Sequence, residues 1–278
     1  MGSSDTTPRA VFPGRTPGVP RIALFLNAGD PDDEEMVEIV RLMDAARVDC
    51  LELAVPFPDS VTDGPVVRAS ATRALDRGTD LPRVLRLVER LRATTTHTRI
   101  VLLVDWSHSL RPTDLARSVD EIRGSGADGL LVHGLPPMLR GRTTELCLAA
   151  GLPTVQTCYH GTSTGETFAA AARDATAYVY LVARYGRSGT PGGDALASVR
   201  SSVDRLRELT DAPVAVGFGI STADDVRRVT DAGADAAVVG TACVRAVEQG
   251  IGDHDVVGSF AAFLERLLPA PQPALPRP

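Results

Sequence analysis

Cys50-Leu51-Glu52-Leu53-Ala54-Val55-Pro56-Phe57-Pro58-Asp59-Ser60-Val61-Thr62-Asp63-Gly64-Pro65 opens as an apolar run and breaks at Pro56. That is the pattern of a short buried strand running into a loop. One charge, Glu52, stands inside the run. Strand side chains alternate in direction, so Glu52 shares a face with Cys50 and Ala54. A carboxylate there is costly to bury unless it is paired or its pKa rises, and a raised pKa suits a general acid/base near neutral pH. The loop adds Asp59 and Asp63, so a strand ending in one acid is followed by a loop carrying another. Spacing alone leaves two readings level: a catalytic carboxylate pair, or a core acid satisfied by backbone amides beside a polar loop.

Outward from this stretch, short apolar runs recur in a regular rhythm. They are Ile22 to Asn27, Ile100 to Val104, Gly129 to Val132, Thr154 to Thr157, Tyr178 to Val182, Val214 to Val216 and Ala236 to Val239. Helical patterns separate them. Met36, Ile39, Val40 and Met43 form one stripe, and Asp32 to Glu35 precede it where acids favour a helix start. Others run from Val66 to Leu75, from Leu81 to Leu91, through Leu115, Val119 and Ile122, up to Ala150, over 168–173, through Val199, Val203 and Leu206, and from a Ser221/Asp224 cap to Gly233. Eight strand–helix units in about 250 residues predict a (β/α)8 barrel over 21–268. Residues 1–20 read as a polar, Pro-rich flexible tail and 269–278 as a second Pro-rich tail. A doubly wound sheet is the alternative, but no GxGxxG follows the first strand.

The chain has 278 residues, 44% of them hydrophobic, and a net charge of −6, which points away from nucleic acid and from membrane surfaces. No run reaches the roughly 20 apolar residues of a membrane span, and no signal-peptide core is visible. Cys50, Cys147, Cys158 and Cys243 are scattered without CxxC spacing, so reduced thiols in a cytoplasm are expected.

Barrels place their chemistry on loops at the C-terminal strand ends, which is where Glu52 and Asp63 fall. Gly217-Phe218-Gly219-Ile220-Ser221 follows the seventh strand and Gly240-Thr241-Ala242 the eighth. Glycines before helix starts let amides approach an anion, so these turns predict a phosphate site, against the plainer reading of ordinary strand-to-helix turns. The sixth loop, Arg184-Tyr185-Gly186-Arg187-Ser188-Gly189-Thr190-Pro191-Gly192-Gly193, reads as a lid or as a loose connection.

The quoted stretch, through Leu51-Glu52-Leu53-Ala54-Val55-Pro56-Phe57-Pro58-Asp59 to Asp63-Gly64-Pro65, resembles the signature of tryptophan synthase alpha subunits, and the likeness extends over roughly 21–266. It implies catalytic roles for Glu52 and Asp63, an indole pocket from Phe25, Leu103 and Leu131, and further substrate contacts from Tyr180, Arg184 and Ser188. It also implies a phosphate cradle from Gly189, Gly219, Gly240 and Thr241, no cofactor and no metal. The implied reaction is retro-aldol cleavage of indole-3-glycerol phosphate to indole and glyceraldehyde 3-phosphate. A lyase on another phosphorylated substrate and a non-catalytic partner of a synthase are the alternatives.

The middle of the chain departs from the family pattern. Asp105-Trp106-Ser107-His108 follows strand three, His133-Gly134-Leu135-Pro136 strand four and Cys158-Tyr159-His160-Gly161 strand five. Asp105, His108, His133 and His160 are expected to reshape the pocket or its rim; a metal site is the lesser alternative. Ser60 stands where the family has a Pro facing a beta subunit, and the family's opening helix is missing. A beta partner is therefore doubtful, and the bottom of the barrel is expected to be open or differently plugged.

Overall fold

The apolar runs pair in chain order. β1 (Arg21–Asn27), β2 (Cys50–Ala54), β3 (Arg99–Asp105), β4 (Gly129–His133), β5 (Thr154–Tyr159), β6 (Tyr178–Val182), β7 (Val214–Gly217) and β8 (Ala236–Val239) are parallel neighbours. β1 also pairs with β8, Ala23 opposite Val238, which closes the sheet and excludes the doubly wound alternative. This computed structural model describes residues 10–12, 21–183, 193–217 and 219–268.

Helices cover the outside: α1 (Asp33–Ala45), α2 (Pro65–Asp76), α3 (Leu81–Arg92), α4 (Leu115–Gly124), α5 (Arg140–Ala150), α6 (Gly165–Asp174), α7 (Gly193–Arg207), α8 (Ala223–Asp231), α9 (Thr241–Asp253) and α10 (Val256–Leu267). Their starts follow local chemistry. Asp32 caps α1 by accepting from the Glu34 and Glu35 amides. Pro65 opens α2 at a position where its missing N–H costs nothing. The capping pair of α8 is Thr222 with Asp225, one residue later than the Ser221/Asp224 pair expected; both pairs share the three-residue spacing, and Ser221 instead donates to the same Asp225 carboxylate.

Strand alternation divides the core. Leu51 and Leu53 face the helices, while Cys50 faces the barrel interior with Ala23, Val101, Val155, Tyr178, Ala215 and Ala236. Glu52 takes the inward direction two residues above Cys50. Beneath this layer lie Val11 and Phe12, 2% and 3% exposed, with the Phe12 ring 5.0 Å from that of Tyr178. These two residues, within the stretch expected to be a tail, pack into the interior cluster and plug that end of the barrel.

Candidate active site

Glu52 is 2% exposed, and its Oε1 accepts a hydrogen bond from the Tyr178 hydroxyl across the barrel. Burial pushes its pKa from 4.5 up to about 7, the Tyr178 bond offsetting part of the rise. The environment therefore makes this carboxyl titrate where a proton-transfer catalyst works best. Above it opens a cavity of about 570 Å³ at the C-terminal ends of the strands, lined by both Glu52 and Asp63. Asp63 is half-buried and has no salt-bridge or hydrogen-bond partner among the described residues, so its charge is not spent on holding the loop.

Phe25, Leu103, Leu131 and Tyr180 line the same cavity, as do Gly219, Gly240 and Thr241. Arg184, Ser188 and Gly189 lie outside the described residues, as does most of the sixth loop. Tyr180 stands against Gly217, where a Cβ would lie 2.5 Å from its hydroxyl oxygen. Gly217→Ala should displace the ring and reduce kcat/KM by at least about tenfold, since small misplacements in a site are costly. Because ring carbons also lie 2.8 and 3.0 Å from that Cβ, recovery of the unfolding midpoint on combining it with Tyr180→Leu, which removes the ring, would locate the damage at this contact; no loss in the single variant would refute it.

The phosphate end differs from an ordinary turn. α8 has its first turn filled by the Thr222/Asp225 box, but α9 begins at Thr241 with no side-chain cap. Its leading amides and partial positive charge are left to the cavity. Gly219 has φ +44 with nothing within 4 Å of an added Cβ, and a Cβ on Gly240 would meet only Phe25 Cβ at 3.9 Å. Arg245, one turn into α9, also lines the cavity, and no ion-pair partner for it exists among the described residues. Sequence reasoning missed Arg245, although its place four residues after Thr241 puts it on the same helix face.

The four polar residues at the ends of β3 to β5 do not act together. Buried Asp105 accepts from both the His108 amide at 2.9 Å and its Nδ1 at 2.7 Å. His108 lines an outer groove with Pro56 and Pro58 instead of the cavity. His160 Nδ1 lies 2.9 Å from Ser202 Oγ. Of the four, His133 alone lines the cavity, joined there by Thr157 and Tyr159 of β5. Among the described residues no group of three His, Cys, Asp or Glu is placed to hold a metal ion.

The loop between β2 and Asp63 is gripped by the chain itself. The Phe57 ring stacks on His108 at 5.7 Å and on His133 at 5.6 Å, with interplanar angles of 23° and 25°. Ser60 is 5% exposed and shares a 3.3 Å hydrogen bond with Thr62; Val61, 91% exposed, is what the loop turns outward. Position 60 thus faces inward within this chain. Each ring contact is worth about 0.5–1.5 kcal/mol. Phe57→Ala should speed hydrogen exchange over residues 57–63 and lower turnover about tenfold; exchange identical to wild type would show that the stack holds nothing.

The fold and site define a (β/α)8 barrel with a buried acid at one wall and an anion-ready helix start at another. The chain belongs to the tryptophan synthase alpha chain family: a family model of that description matches residues 18–266. It is 38% identical over 249 residues to the tryptophan synthase alpha chain of Gloeobacter violaceus, covering 89% of this chain and 88% of that one. To the alpha chain of Synechococcus elongatus it is 36% identical over 228 residues, covering 82% and 84%. A mutant tryptophan synthase alpha-subunit from Pyrococcus furiosus superposes with a TM-score of 0.79 at 28% identity, covering 89% of this chain and 97% of the other. The tryptophan synthase complex from the same organism gives 0.77 at 28% identity and the same coverage. No helix among the described residues is long and apolar enough to cross a membrane.

Proposed function

We propose that this chain cleaves indole-3-glycerol phosphate to indole and glyceraldehyde 3-phosphate. The observation that carries the reading is Glu52, a carboxyl raised to about 7, lining one cavity with Asp63 and the uncapped start of α9. The α9 amides, Gly219 and Arg245 bind the phosphate, and that remote binding energy positions the reacting carbon. Phe25, Leu103 and Leu131 hold the ring. Protonated Glu52 delivers its proton to indole C3, which leaves positive charge at the ring nitrogen opposite the Asp63 carboxylate. The Glu52 carboxylate then takes the proton of the glycerol hydroxyl on the carbon attached to C3. That hydroxyl becomes the aldehyde carbonyl as the carbon–carbon bond breaks, and its electron pair returns to the ring as neutral indole. Glu52 ends protonated, ready for another turnover.

Incubating the protein alone with indole-3-glycerol phosphate tests this. Release of indole with matching glyceraldehyde 3-phosphate is expected; tight binding without cleavage would favour the non-catalytic reading. Gly240→Asp fills the cradle with a side chain and a negative charge. It should raise KM at least about tenfold while leaving affinity for free indole near wild type. Equal wild-type affinity for a phosphate ester and its dephosphorylated analogue would remove the phosphate assignment.

The loop's internal grip supports a stand-alone enzyme over one dependent on a beta subunit. Titration with a beta subunit should change turnover less than about twofold, because the loop needs no outside contact to order it. A stoichiometric complex with strong activation would overturn this part of the reading.

A further inference from the structure

The cavity wall formed by β4 and β5 is polar where an indole ring would be served by an apolar one. His133, Thr157 and Tyr159 line it, all half-buried. None of the three side chains has a hydrogen-bond partner among the described residues. The His133 ring face is taken by Phe57, which leaves its nitrogen-bearing edge open. The register places these groups side by side: Leu131 of β4 pairs with Val155 of β5, and His133 and Thr157 stand two residues above them on the inward faces. Thr157 in turn pairs with Tyr180 and Tyr159 with Val182. In a closed barrel of eight strands in chain order, β4 lies across from β8, where Gly240 and Thr241 make the phosphate end. A ligand anchored there by its phosphate extends its far end towards this wall.

An unsubstituted ring has one polar atom, its N–H, which the proposed mechanism gives to Asp63. Its benzo edge would strip water from three hydroxyl or imidazole groups and return nothing, a cost that a ligand avoids by supplying partners. Hydroxyls and an imidazole can each both donate and accept, so the three match a substituent that itself does both, as a hydroxyl does. We propose that the substrate ring carries a hydrogen-bonding substituent of the hydroxyl class, recognised by His133, Thr157 and Tyr159. This rests on the reading of an indolyl glycerol phosphate as substrate.

The test compares indole-3-glycerol phosphate with its four benzo-ring monohydroxy counterparts in kcat/KM, and indole with the four hydroxyindoles in equilibrium binding. At least one hydroxylated compound should be preferred by about tenfold or more. Thr157→Val with Tyr159→Phe, and separately His133→Phe, which keeps an aromatic ring against Phe57, should collapse that ratio towards one. If the unsubstituted compound is cleaved as well as every hydroxylated one, the proposal fails and the lyase reading stands. Tighter binding of a hydroxyindole without cleavage of any compound would support the polar subsite and end the lyase reading. Failure to bind any member of the indole series would overturn both.

Discussion

Glu52→Gln lowers turnover by at least about 10³-fold while substrate affinity changes little. The amide keeps the shape of the carboxyl and still accepts from Tyr178, but it cannot deliver a proton to C3 or take one from the hydroxyl. General acid/base groups contribute about 10²–10⁴ each, and here one group serves two transfers. The same substitution has a stability signature. Glu52 has its folded-state pKa raised from 4.5 to about 7, so the folded state holds this proton more tightly than the unfolded chain. Below pH 4.5 both states are protonated and nothing is lost. Between the two values the unfolded chain ionises first and wild-type stability falls as pH rises; above about 7 the loss is complete. A shift of this size corresponds to about 3 kcal/mol. Urea unfolding at pH 4 and pH 8.5 should therefore show Glu52→Gln gaining on wild type by up to about that amount as pH increases. Near-wild-type turnover, or a stability gap that does not widen with pH, would reduce Glu52 to a satisfied core acid.

The barrel was legible because the strands are short apolar runs and several helix starts carry their own punctuation, such as Asp32, Pro65 and Asp80. The interior placement of Glu52 followed from strand alternation alone. Other features needed the third dimension. Tyr159 lies within β5, which extends two residues past the Thr157 at which the apolar pattern stops; the strand's last two residues, Cys158 and Tyr159, read as loop and hid an inward-facing side chain. Asp105 and His108 share a three-residue spacing that fits a local cap as well as a ligand pair, and the chain uses it as a cap on the turn Trp106–Leu110. Val11 and Phe12 belong to no periodic pattern, so nothing in the sequence marked them as the barrel's plug. The partner of Glu52, Tyr178, is 126 positions away, a distance over which spacing carries no information.

Asp63→Asn should cut kcat by about 10²–10³ and leave KM within about threefold of wild type. Asn keeps the side-chain length and an oxygen able to accept from the ring N–H, so ground-state binding survives. What disappears is a full negative charge facing a nitrogen that becomes positive only after C3 is protonated. An interaction made mainly in the transition state appears in kcat, not in KM. Fixed charges and donors of this kind, removed singly, cost about 10²–10³. The folded state should tolerate the change, because Asp63 is half-buried and has no hydrogen-bond or ion-pair partner among the described residues. Steady-state kinetics on the purified variant, with its unfolding midpoint measured alongside, decides the matter. A loss of stability matching the loss of rate would make Asp63 a structural residue of the loop. A tenfold or larger rise in KM at constant kcat would make it a binding group. An unchanged rate would move the charge-stabilising role elsewhere, and Arg245 and the α9 amides, being positive, are excluded from taking it over.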